Sequence, residues 1–125
     1  GYVPALVRER VRGADVLVVE ANHDVALLDG NEQRPWSLKQ RIKSRHGHLS
    51  NDAAYEWVGQ DAADGAAWQQ VYLAHLSRDC NDVASVRARF ADCAPKGTGG
   101  AGKFPIEVVD PETGTALAYE AGALA

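Results

Sequence analysis

Five side chains near the ends of apolar segments carry most of the chemistry open to this chain: Glu20, His23, Asp24, His48 and His75. Imidazole and carboxylate together suit Zn²⁺, Mn²⁺ or Fe. A histidine beside a carboxylate also makes a general acid near neutral pH. His75 ends the apolar run Val71-Tyr72-Leu73-Ala74 and is followed by Leu76-Ser77. A strand that runs into an imidazole and then a turn places the ring at a sheet rim, where α/β folds put their ligands. His48 sits in Gly47-His48-Leu49-Ser50-Asn51, and His23 in Glu20-Ala21-Asn22-His23-Asp24, after the run Val16-Leu17-Val18-Val19.

Spacing alone leaves the role of these residues open. There is no HExxH or Cys/His cluster, and a hydrolytic metal site needs several protein ligands. A single histidine is more often a hydrogen-bonded structural residue. His46, in a basic stretch, reads as structural or as a phosphate contact.

The chain has 125 residues, 46% of them apolar and 24% charged, which suits one globular domain with a core. No apolar run approaches the roughly 20 residues that span a bilayer. No secretory signal is visible, so a cytoplasmic location without membrane contact is expected. The chain contains no Met, even at position 1, which fits processing or a chain cut from something longer. Net charge is −4, yet Arg34, Lys39, Arg41, Lys43 and Arg45 follow one another with no acid between them. Cys80 and Cys93 lack CxxC spacing and read as free thiols.

The elements that must position these groups follow from pattern. Residues 4–14 read as a helix with Leu6, Val7 and Val11 as its stripe, and 16–20 as a strand buried on both faces. Asn22 or Asp24 is expected to cap a short turn at 25–28. Ser37 is expected to cap a basic helix over 38–45, with Leu38 and Ile42 on one face, and Gly47 to end it. Asn51 reads as the cap of a helix over 52–60, and residues 68–75 as the second buried strand. Asn81 or Asp82 starts a helix with Val83, Val86 and Phe90 on one side. The glycine-rich 96–102 lacks the phosphate-loop pattern and reads as a surface loop. Residues 104–109 and 115–119 flank Pro111-Glu112-Thr113-Gly114 as a hairpin.

Four ordered segments carry a resemblance: residues 16–24, then Pro35-Trp36-Ser37-Leu38-Lys39-Gln40-Arg41-Ile42, then 47–51, then Leu73-Ala74-His75-Leu76-Ser77-Arg78-Asp79. Together they resemble the C-terminal half of a metallo-β-lactamase-fold hydrolase of the YycJ/WalJ-like branch, over most of residues 4–90. The resemblance implies an α+β fold, half of a four-layer αββα sandwich, with residues 1–125 the C-terminal part of one domain. It implies that His75 is the last metal ligand of a site holding two divalent ions, Zn or Mn. It gives His48 a general-acid or phosphate-contacting role, with Glu20 orienting it. His23 and Asp24 join the catalytic set through the branch's Asn-His-Asp segment.

In such a phosphodiesterase or nuclease, two metals polarise the phosphoryl group, and a protonated imidazole beside a carboxylate protonates the leaving oxygen. Arg41, Lys43 and His46, with Ser77, would then hold the phosphodiester of a DNA, RNA or smaller substrate. Trp36 reads as a packing residue at a helix start, with base stacking the alternative.

The chain departs from the family in lacking the H-x-H-x-D-H motif, the middle histidine and the bridging aspartate. The expectation is therefore a fragment that binds metal weakly and has no appreciable hydrolase activity alone. A homodimer is compatible with this reading. The alternative is a non-catalytic nucleic-acid- or partner-binding module built on the basic segment 34–48.

Overall fold

Two apolar runs of five residues set the sheet: β1 (Val16–Glu20) and β2 (Gln70–Ala74). They pair in parallel, with Val16 opposite Gln70 and Glu20 opposite Ala74. A shorter β3 (Ile106–Val108) pairs in parallel with the other edge of β2, giving the order β1-β2-β3. The computed structural model describes residues 1–92 and 104–113.

Parallel neighbours need crossovers. Between β1 and β2 lie α2 (Val25–Asp29), α3 (Trp36–Lys43) and α4 (Asn51–Ala63), and α5 (Val83–Arg89) lies between β2 and β3. The helix α1 (Ala5–Val11) precedes β1. The described residues thus form an α+β unit around one small parallel sheet. The second sheet of a four-layer sandwich is not among them.

The main core lies between the sheet and α4 and α5. Leu17 and Val19 of β1 and Val71 and Leu73 of β2 pack with Ala54, Trp57, Val58 and Ala62 of α4, with Val86 of α5 and with Phe90, the C-cap of α5. Each large side chain so buried stabilises the fold by about 1.5–3 kcal/mol. Trp68 meets Trp57 and Phe104 edge-to-face at centroid distances of 6.4 and 6.2 Å. A smaller cluster of Leu28, Ile42 and Cys80 joins α2, α3 and the loop after β2. Buried Lys39 reinforces that junction by donating to the Asp29 carbonyl at 3.0 Å.

Several expectations are corrected. Strand β1 is buried on one face only, because the helices cover Leu17 and Val19 while Val18 on the opposite face is 54% exposed. Leu6 and Val7 are exposed on α1, which buries no residue. That helix is held instead by the Arg8–Asp61 ion pair at 2.8 Å and by Trp68 Nε1 donating to the Val11 carbonyl at 2.8 Å. Helix α3 starts at Trp36 behind Pro35, so Ser37 is internal rather than a cap. Ser50, not Asn51, caps α4, accepting from the Ala53 amide. Trp36 is 64% exposed rather than packed, and Leu38 is exposed at the edge of the same helix.

The pairing of β3 with β2 differs from a simple hairpin arm. Its expected partner at 115–119 lies outside the described residues, as do Cys93 and the segment 96–102. Cys80 is a buried free thiol. Among the described residues no helix is long and apolar enough to cross a membrane.

Candidate metal and phosphodiester site

Parallel register brings the first two groups together. Glu20 ends β1 opposite Ala74, and the Ala21 amide donates to the Ala74 carbonyl at 3.0 Å, so the residues that follow the two strands leave the sheet side by side. His75 leaves it with φ of +59°, the left-handed region. A residue with a Cβ adopts that region at a cost of roughly 1–2 kcal/mol. Such conformations persist where surrounding contacts over-determine them, and they cluster at functional sites.

The third group arrives from the end of α3. The chain turns over residues 44–47, with the Gly47 amide donating to the Ser44 carbonyl and the His48 amide to the Ile42 carbonyl, both at 2.9 Å. A Cβ on Gly47 would overlap the Ile42 and Arg41 carbonyls, so this reversal requires glycine. The following segment then runs beside the end of β1, with a parallel bridge between His23 and Ser50. The Leu49 amide donates to Glu20 Oε1 at 2.6 Å.

Glu20 Oε2 receives both imidazoles. His48 Nδ1 lies 2.8 Å from it, and His75 Nδ1 bonds to the same oxygen. The two rings are 5.3 Å apart. Burial pushes the Glu20 carboxyl up, but the Leu49 amide, His75 and His48 outweigh it and hold the group below its ordinary value. An ionised Glu20 accepts, so each ring donates through Nδ1 and, when neutral, carries its lone pair on Nε2. This is the carboxylate–histidine arrangement that fixes the tautomer of a metal-ligating imidazole.

Donor chemistry fits a divalent ion: one candidate ligand atom from each of Glu20, His48 and His75 lies within 4.8 Å of the others. With both Glu20 oxygens taken by N–H donors, the imidazole Nε2 atoms are the positions left for such an ion, and they suit Zn or Mn without distinguishing them.

His23 and Asp24 lie outside this cluster. His23 is 2% exposed and its Nδ1 faces Asn22 Oδ1 at 3.2 Å. Burial lowers its pKa. Asp24 caps α2, accepting from the Leu27 amide at 3.0 Å.

A cavity of about 340 Å³ opens beside the two histidines, lined also by Arg34, Arg41, His46 and Ser77. Lys43 is not part of that lining and pairs with Asp29 instead. Arg34 holds Asp79 through Nε at 2.9 Å and a terminal nitrogen at 2.5 Å, and that bond keeps the Asp79 carboxyl well below the usual carboxylate range. Ser77 Oγ donates to the same carboxylate at 2.9 Å. Sequence reasoning did not single out Arg34 or Asn22 for the site. The basic run was a signal for Arg34. Asn22 was read only as a cap candidate and as the first residue of the Asn-His-Asp segment.

No family model matches the chain, and no solved structure matches it. Among curated proteins, the Exodeoxyribonuclease YycJ of Bacillus anthracis is 35% identical over 120 residues, covering 95% of this chain and 44% of the relative. The Exodeoxyribonuclease WalJ of Streptococcus pneumoniae serotype 2 (strain D39 / NCTC 7466) is 34% identical over 118 residues, covering 94% of this chain and 43% of the relative. Along nearly its whole length the chain is therefore a YycJ/WalJ-like sequence, and it spans less than half the length of the relatives it matches.

Proposed function

We propose that this chain supplies His75 as a metal ligand and His48 as the proton donor of a metal-dependent phosphodiesterase of the exonuclease type, as the C-terminal part of an αββα sandwich. The observation that carries the reading is the pair of imidazoles bonded to one Glu20 oxygen at the strand ends. The relatives' names add DNA as the substrate class.

Glu20 keeps both rings oriented, with His48 Nε2 the atom that passes a proton to the leaving oxygen. Arg41 and His46 face the same cavity and hold the phosphodiester, while Ser77 is fixed for a further contact by the Arg34–Asp79 pair. Two divalent ions, when bound, would polarise the phosphoryl group and activate water. His75 is the ligand this chain offers them, and the remaining ligands belong to the rest of the complete protein. The chain by itself then binds metal weakly and does not turn over substrate. A binding module on segment 34–48 is less well supported, because Arg34, Lys39 and Lys43 are each engaged within the chain.

The test is a chimera in which this chain replaces the matched stretch of the Bacillus anthracis relative. With Mn²⁺ or Zn²⁺ it should degrade linear DNA. His48→Ala should then cost about 10²–10⁴-fold in turnover, the usual worth of a general acid. His75→Ala should lower metal content as well. An active chimera indifferent to both substitutions would end the proposal.

A further inference from the structure

His75 needs a cause for its left-handed backbone, and the contacts around it lead to Asn22. Asn22 grips the chain on both sides of Leu76: its Nδ2 donates to the His75 carbonyl at 2.9 Å, and its own carbonyl accepts from the Ser77 amide at 2.7 Å. With Nδ2 committed, Oδ1 is left as an acceptor, and the nitrogen facing it is His23 Nδ1 at 3.2 Å. The His23 ring must therefore donate there, which sets its tautomer. Both residues are buried, at 8% and 2% exposure, where an unmet polar group costs about 1–3 kcal/mol.

The same two residues also fix the segment that carries His48, but through the backbone alone. The Asn22 amide donates to the Leu49 carbonyl at 2.9 Å, and the Asn51 amide donates to the His23 carbonyl at 2.9 Å. The two histidine-bearing segments thus meet at residues 22–23. The His75 segment is held by a side-chain relay added to the Ser77–Asn22 main-chain bond, and the His48 segment by main-chain bonds alone, which side-chain substitutions leave in place.

We infer that Asn22 and His23 form a positioning relay, His23 Nδ1–H to Asn22 Oδ1 and Asn22 Nδ2–H to the His75 carbonyl, that holds His75 in the conformation presenting its Nδ1–H to Glu20. His23 and Asn22 act through His75 and need no contact with substrate. The functional meaning of the relay rests on the reading of His75 as a metal ligand. The geometry it maintains can be read without metal.

Long-range ¹H–¹⁵N imidazole spectra of the full chain, recorded where the imidazoles are neutral, report the tautomer of each histidine. In the wild-type chain His75 and His48 should both be Nδ1–H. Asn22→Ala and His23→Leu should each shift His75 toward the Nε2–H form that a free imidazole prefers, while His48 stays as it was. His23→Gln, which keeps an N–H donor for Asn22 Oδ1, should restore the wild-type pattern. Trp68→Phe, which removes a remote, partly buried hydrogen bond, should leave His75 unchanged.

If His75 keeps its Nδ1–H form in both Asn22→Ala and His23→Leu, the relay is wrong. It is equally wrong if His48 moves as much as His75, or if both variants unfold while Trp68→Phe folds. Zn²⁺ added to the same samples separates the two readings. Shifts at His75 that weaken about 10–100-fold in Asn22→Ala, the range for outer-shell partners of a metal ligand, support both. A relay intact in the tautomer spectra, with no loss of metal from the chimera on His75→Ala, would support the relay and remove the metal assignment.

Discussion

A single oxygen, Glu20 Oε2, is shared by His48 and His75, which come from 28 and 55 residues further along the chain. The carboxylate's other oxygen is taken by the Leu49 amide. Glu20→Gln would replace an acceptor-only group with one that has a single acceptor oxygen for three N–H donors. At least one donor then loses its partner. Both rings should loosen, and Zn²⁺ affinity of the chain should fall about 10–100-fold. Titration against a chromophoric chelator measures this, and unchanged affinity would show that Glu20 does not orient a ligand.

The left-handed backbone at His75 predicts a separation of stability from function. His75→Gly and His75→Ala both lose the imidazole, but only alanine keeps the Cβ. The glycine variant should be more stable than the alanine variant by roughly 1–2 kcal/mol, while neither binds metal at this site. Paired urea melts decide it, and equal midpoints would mean that residue 75 is not held at positive φ in solution.

Gly47 supports His48 from behind. Gly47→Ala would drive a methyl into the Ile42 and Arg41 carbonyls. Relief requires the turn to open, which should cost about 1–3 kcal/mol, as overpacking does. The His48–Glu20 bond should weaken with it. Retention of both the melting temperature and the His48 Nδ1–H tautomer would contradict the tight reversal.

His23 should make the fold sensitive to mild acid. Burial lowers its pKa in the folded chain, whereas the unfolded chain titrates near the ordinary value of about 6.5. Below that value the unfolded state binds a proton that the folded state resists, so stability is full above about pH 6.5 and declines as pH falls below it. Urea midpoints across this range should slope for the wild type and flatten for His23→Gln. Equal slopes would place the acid sensitivity elsewhere.

Arg41 and Lys43 are neighbours in sequence with different surroundings. Arg41 lines the cavity, while Lys43 is paired with Asp29. In the chimera, Arg41→Ala should weaken DNA binding and reduce its salt dependence by about one phosphate contact. Lys43→Ala should change the slope less. The reverse ranking would move the phosphate path to the other side of α3.

The order of elements was legible in the residues, because two β-branched and apolar runs and the polar breaks between them repeat the periods of strand and helix. The capping residues of α2 and α5, Asp24 and Asp82, were also within reach, since a cap acts over three residues. The placement of Glu20, His48 and His75 as candidates came from strand ends and from resemblance. Their convergence on one oxygen did not, because it depends on the parallel register of β1 with β2 and on the reversal at Gly47. The exposure of Val18 and of Trp36 was likewise hidden, since one strand face and one helix turn differ from their neighbours only by what packs against them. Local propensity acts along a few residues of chain. The relay from His23 through Asn22 to His75 joins groups up to 53 residues apart, so only the folded chain decides it.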